Sequence, residues 1–161
     1  MTSTLSPDIQ RIEFWMVAVI GGAATIEDLA RRTISNWLSL AALVGGLGCQ
    51  VFSHGWRGAA TALLGSIAGF AIFLVFYLLG GMGGGDVKLV AGFGSMLGAW
   101  RLLQAALWIA IAGGLMAAAV VGCSALRRAV ARKQVDAGRA LAIPYAPAIA
   151  IGVWLTLLSG K

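Results

Sequence analysis

From Gly58 to Trp100 the chain reads GAATALLGSIAGFAIFLVFYLLGGMGGGDVKLVAGFGSMLGAW, and this stretch decides the fold. Its first part, Gly58–Leu79, is apolar without a single charged side chain. A helix needs roughly 20 such residues to cross a bilayer, and inside lipid each backbone N–H and C=O must be satisfied within the segment. The last part, Val87–Trp100, is apolar again but short. Such a helix either tilts little, thins the bilayer, or lies against protein instead of lipid. Between the two sits Gly80–Asp86, a glycine-rich connection closed by a carboxylate.

The pattern repeats outward. Further apolar runs at Ile12–Ile26, Trp37–Phe52, Leu102–Leu126 and Ile143–Leu158 bring the total to six. They are joined by Glu27–Asn36, Ser53–Arg57, Gly80–Asp86, a tight turn near Trp100–Arg101, and Arg127–Ala142. Of the 161 residues, 60% are hydrophobic and 11% charged, with a mean hydropathy of +0.90. A soluble domain carries roughly 25% charged residues, so this chain belongs in a bilayer. The expectation is an all-α polytopic membrane protein of about six transmembrane helices, forming one domain over residues 1–161. The N-terminus lacks the basic region and small-residue cleavage site of a removable signal, so the first run is expected to stay.

Composition also excludes several function classes. Cys49 and Cys123 lie in separate apolar runs, with no CxxC pair, and read as small residues buried in helix packing. His54 is the single histidine and sits in a short connection, which argues against a histidine-based zinc site. No metal and no cofactor are expected. The net charge of +6 comes from residues clustered between apolar runs, where membrane topology explains them better than nucleic acid. With six alternating spans, one side receives Arg31, Arg32, Lys88, Arg127, Arg128, Arg132, Lys133 and Arg139. The other receives Arg11, Arg57, Arg101 and Lys161. Eight against four puts the first set in the cytoplasm and both termini outside. Within the spans, Gly65 and Gly69 have the GxxxG spacing that lets helices approach closely, here read as packing within one chain.

Six acidic residues remain to be explained. Asp8 and Glu13 go with the outer N-terminal segment and Asp136 with the basic loop, leaving Glu27, Asp28 and Asp86 at membrane edges. Ionisable groups at that depth are expensive and default to functional readings. Taken singly, Asp28 could be an interfacial helix end, and Asp86 could cap the helix beginning at Val87. Topology changes the balance, because Asp28 ends the first span and Asp86 begins the fourth, so both reach the cytoplasmic face. Two carboxyls brought together share one proton. The ionised member can then deprotonate water while the protonated one polarises a carbonyl. Gly83, Gly84 and Gly85 before Asp86 allow positive φ and close approach of an extended peptide, or form a hinge without chemistry. No Gly-Lys-Ser/Thr phosphate loop is present.

Gly81-Met82-Gly83-Gly84-Gly85-Asp86-Val87-Lys88-Leu89 resembles the GxGDxKL signature of type IV prepilin peptidases. Asp28-Leu29-Ala30-Arg31-Arg32-Thr33-Ile34-Ser35-Asn36 is similar to that family's first-aspartate region, with Ser35 where proline is usual. Ile143-Pro144-Tyr145-Ala146-Pro147-Ala148-Ile149-Ala150 looks like its entry into the last helix. The resemblance implies an aspartyl endopeptidase of the bacterial inner membrane, with Asp28 and Asp86 as the catalytic pair. It implies cleavage of a basic leader from a prepilin at the cytoplasmic face, and partnership with pilus or secretion assembly machinery and with lipid. In length the chain looks closest to the small members that serve Flp-type pili. No segment with two CxxC pairs lies between the first two runs, so the N-methyltransferase activity of larger members is not implied.

Gly83, Gly85 and Lys88 are the candidate substrate-binding residues. For Lys88, about 200° round the helix from Asp86, snorkelling to the interface competes with contact to substrate. Glu27 adjoins Asp28 but should point elsewhere. Two other classes stay open: a small proton or cation carrier using the same aspartates as relays, and a non-enzymatic subunit of a secretion complex.

Overall fold

The computed structural model describes residues 7–131 and 145–159, with side chains over 11–123 and 145–159. Every described element is helical: α1 (Pro7–Arg31), α2 (Asn36–Leu78), α3 (Gly84–Ala131) and α4 (Ala146–Ser159). The expected basic loop at Arg127–Ala142 falls mostly outside the described residues, as do Asp136 and Pro144; Arg127 and Arg128 still have helical backbone.

Two helices are long and apolar enough to cross a membrane, Asn36–Leu78 and Gly84–Cys123, containing 18-residue stretches with a mean hydropathy of 2.2 and 2.1 respectively. A straight helix of 43 residues would be about 65 Å long, twice the roughly 30 Å of bilayer hydrocarbon. Neither helix is straight. α2 leaves helical geometry at Gly55 (φ 59°, ψ −138°) and α3 at Gly98 (φ 71°, ψ 168°). Glycine reaches positive φ without the steric penalty of a Cβ, so each turn is made by one residue. The sequence expects connections at Ser53–Arg57 and near Trp100–Arg101; the second bend comes two residues earlier, and helix continues on both sides of each.

Packing shows that the halves fold back on themselves. The first half of α3 runs parallel to the first half of α2, with Gly92 against Ser39 and Ala42, and Gly46 against Ser95 and Met96. It runs antiparallel to the second half of α2, where Gly65 meets Gly94 and Gly69 meets Val90. A Cβ on Gly65 would run into the Gly94 carbonyl oxygen, and a Cβ on Gly94 into that of Gly65, so the two backbones touch. The GxxxG spacing thus serves packing within the chain. The short apolar run is the centre of the bundle: Val87, Leu89, Val90, Phe93, Met96 and Leu97 are all buried. It lies against protein, one of the three options its length left open.

α4 closes the bundle. It runs antiparallel to α1, with Gly21 against Ala150 and Trp154, and antiparallel to the second half of α3, with Gly152 against Ile109. Among the described residues six helical segments therefore alternate in direction, and the end of α1, both ends of α2 and the starts of α3 and α4 gather at one end. The outside is apolar, with Trp37, Phe52, Trp56, Leu79 and Trp100 each more than three-quarters exposed. Cys49 is half-buried, but Cys123 is exposed, which corrects the expectation that both are buried.

Candidate active site

Asp28 lies in the last turn of α1. The helix stops because Arg32 turns left-handed (φ 53°), with its N–H still bonded to the Asp28 carbonyl at 2.8 Å. Ser35 then caps α2, its hydroxyl accepting the Trp37 N–H at 3.3 Å. The Ser35 N–H donates to Glu27 Oε2 at 2.8 Å, so Glu27 fastens the α1–α2 turn and points away from its neighbour. Asp28 faces inward, 7% exposed. Its Oδ2 accepts the N–H of Ala146, the first residue of α4, at 3.0 Å. That places the carboxyl at the positive end of a helix dipole.

Asp86 reaches the same end from the other side. The sequence places it before a helix starting at Val87, but α3 already starts at Gly84 and Asp86 is inside its first turn. Its Oδ2 reaches back to accept the Gly83 N–H at 3.2 Å, as the third residue of a capping box does. The carboxyl is 7% exposed, and Oδ1 is buried with no hydrogen-bond partner. The Asp28 and Asp86 carboxyls lie within electrostatic reach of each other. The structure therefore brings the sequence-selected aspartates together, each held by one backbone amide.

The other candidates divide. A Cβ on Gly83 would stand 3.1 Å from Asp86 Oδ2, and one on Gly85 3.1 Å from the Ile34 Cβ. Positive φ in this connection belongs to Gly80 (φ 75°) and to neither Gly83 nor Gly85. Close approach, not the left-handed conformation expected from sequence, is what asks for glycine at these two positions. The Lys88 ammonium donates to Asn36 Oδ1 at 3.1 Å, tying the start of α3 to the start of α2 at an exposed position.

One acid was assigned to the wrong environment. Glu13, placed by sequence in the outer segment, is 4% exposed, and its Oε1 is buried without a partner. It lies within electrostatic reach of Arg101 and Cys49. Fifteen residues separate it from Asp28, about 22 Å along α1. The signal was spacing: Glu13, Val17, Ile20, Ala24 and Asp28 recur at helical period and are the buried face of α1. Among the described residues, no three His, Cys, Asp or Glu side chains gather to hold a metal ion.

Known proteins are similar to this sequence. It is 39% identical over 100 residues to the prepilin leader peptidase/N-methyltransferase of Bacillus subtilis (strain 168), covering 61% of this chain and 36% of that one. It is 30% identical over 165 residues to the protein of the same name from Aeromonas hydrophila, covering 98% of this chain and 52% of the relative. The chain thus spans about half the length of the Aeromonas relative and little over a third of the Bacillus one. No solved structure gives a significant match. The sequence profile of the Type IV leader peptidase family matches residues 15–118, a span that contains both Asp28 and Asp86. The chain belongs to that family.

Proposed function

We propose that the protein is an aspartyl endopeptidase of the bacterial inner membrane that removes the basic leader from prepilin-like substrates, with Asp28 and Asp86 as its catalytic pair. The observation that carries this reading is the meeting of two buried carboxyls at one end of an apolar bundle. The six alternating segments are read as six spans, with both termini outside and the carboxyl end at the cytoplasm. Exposed Trp37 at one end, and Trp56 and Trp100 beside the two bends, support that placement as interfacial belts. Flp-type prepilins are the first substrates to test, and anionic headgroups can gather basic leader and basic loops at one surface.

The chemistry follows from the two environments. Two carboxyls at close range keep one proton between them. Asp86, whose Oδ1 is buried with no donor to support a negative charge, is the better holder. Asp28, receiving the Ala146 N–H at a helix N-terminus, is the better anion. Asp28 takes a proton from water as the water oxygen bonds to the scissile carbonyl carbon, and Asp86 gives its proton to the carbonyl oxygen. The C–N bond then breaks as the leaving nitrogen takes the proton from Asp28. The carbonyl re-forms by returning its proton to Asp86, so water is consumed and both carboxyls are restored. A proton-carrier reading fits less well, because Val17, Ile20 and Ala24 occupy the face between Glu13 and Asp28 and relay no proton.

Co-expression with a Flp-type prepilin tests the reading. Wild type should convert the precursor to a faster-migrating product, and Asp28→Asn or Asp86→Asn should leave it full length while still inserting in the membrane. Wild-type-like processing by either variant would end the two-aspartate assignment.

A further inference from the structure

Below the carboxyl end, an apolar cavity of about 350 Å³ lies between the second halves of α2 and α3. Its floor on α3 extends from Ala106 to Ala117 and includes Gly113 and Gly114. Eleven residues of helix make about 16 Å, or three turns. Small side chains along that face leave room for another helix backbone to come close. The upper rim is Met82 and Tyr145. Each is the chain neighbour of a residue whose N–H holds a carboxyl: Met82 of Gly83, which donates to Asp86, and Tyr145 of Ala146, which donates to Asp28. The cavity therefore ends one residue away from each backbone support of the acid pair.

We propose that the substrate carries an apolar helical segment beside the scissile bond and that this groove seats it, so that the bond emerges at Met82 and Tyr145 beside the two carboxyls. The inference rests on the peptidase reading above and adds where substrate is gripped. Three features of the groove suit such an occupant: an almost wholly apolar lining, three turns of length, and a floor of alanine and glycine interrupted only by Ile109. A charged leader gains nothing from such a lining, because burying an unpaired charge is far more costly than leaving it in water. The leader would therefore lie on the far side of the carboxyls, in the aqueous region. The groove then reads hydrophobic shape, and the acid pair supplies chemistry alone.

Gly114 gives a clean test. It lines the cavity, and a Cβ built on it meets no atom within 4 Å, so a larger side chain would fill the groove without pressing on the core. Replacing glycine inside a helix also removes a propensity penalty, so unfolding is not the expected result. Purified Gly114→Phe should cleave a full-length prepilin in detergent with KM raised about 10-fold or more and kcat little changed. A helix-only peptide lacking the leader should compete with wild type and not with Gly114→Phe. Gly122→Phe serves as control, since Gly122 is on the same helix with equally open surroundings and outside the cavity. An unchanged KM in Gly114→Phe would assign the groove to lipid, and equal competition in both proteins would also overturn the proposal. A fall in kcat alone would mean the new side chain disturbs the carboxyls instead, again against it. Wild type that cleaves no prepilin would sink the peptidase reading itself, a failure recognisable before any variant is made.

Discussion

The bundle buries a carboxyl at each end of α1, and the two are handled in opposite ways. At one end Asp28 lies within electrostatic reach of a second carboxyl, Asp86; at the other Glu13 lies within electrostatic reach of the Arg101 guanidinium. Two like groups cannot both ionise cheaply, so a pair of acids keeps a proton available for transfer. An acid within reach of a cation recovers part of its desolvation cost by attraction, and at Glu13 burial is the larger of the two effects. The surroundings differ to match. Asp28 accepts an amide from the start of α4 and Asp86 one from Gly83, three residues before it, whereas among the described residues no amide reaches Glu13; Asp86 and Glu13 each keep one buried oxygen unpartnered. Burial of a carboxyl alone says little about its use; what it faces says more.

The widest gap should open between Asp28→Asn and Glu13→Gln in one cleavage assay. Losing a positioned acid or base removes roughly 10²–10⁴-fold in rate. Asp28→Asn should fall by at least that lower figure, while Glu13→Gln stays within about two-fold of wild type. A Glu13→Gln protein that melts normally yet fails to cleave would break the comparison.

A smaller effect sharpens what happens at the acid end. Gly83→Ala puts a methyl 3.1 Å from Asp86 Oδ2, tight enough that the carboxyl must shift, at a residue that is itself exposed. Cleavage should drop on the order of 10-fold with little change in melting temperature, since small misplacements of reacting groups are costly in rate. An undiminished rate would show that the Gly83–Asp86 contact does not position the acid.

The smallest effect concerns the third acid at that end. Ser35 has φ −63°, already suitable for proline, but its N–H is committed to Glu27 Oε2. Ser35→Pro should gain roughly 0.4–1 kcal/mol through the unfolded state. It should lose more, as a charge-assisted hydrogen bond worth about 1.5–3 kcal/mol disappears from a partly buried site, together with the hydroxyl cap on the Trp37 N–H, worth about 1 kcal/mol. The net is a loss of about 2 kcal/mol in thermal melts with cleavage unaffected. A clear fall in cleavage would give Glu27 a part in the chemistry.

How much of this was legible in the sequence varied with the kind of signal. All-helical architecture and the pairing of Asp28 with Asp86 followed from apolar runs and alternation, because direction reversal alone decides which chain ends meet. The burial of Val87–Leu97 was foreshadowed by its shortness. Glu13 was misplaced because α1 is apolar on nearly every side, so hydrophobicity does not show which face turns inward; only the spacing to Asp28 did. The single-glycine bends were seen as connections, yet Gly55 and Gly98 stand among many glycines and nothing local marks them as the ones with positive φ. The Ala146 amide on Asp28 and the Ser35 amide on Glu27 were invisible for another reason: backbone donors leave no trace in residue type.

The Ala146–Asp28 hydrogen bond joins residues 118 positions apart. A ribosome adding roughly 5–20 residues per second needs about 6–24 s to travel that distance. For that interval the first aspartate has been synthesised but the amide that holds it has not. The second aspartate is made roughly midway, so both carboxyls exist for seconds while the wall that orients one of them is still missing. In a newly made chain Asp28 therefore stays without this backbone support until α4 arrives.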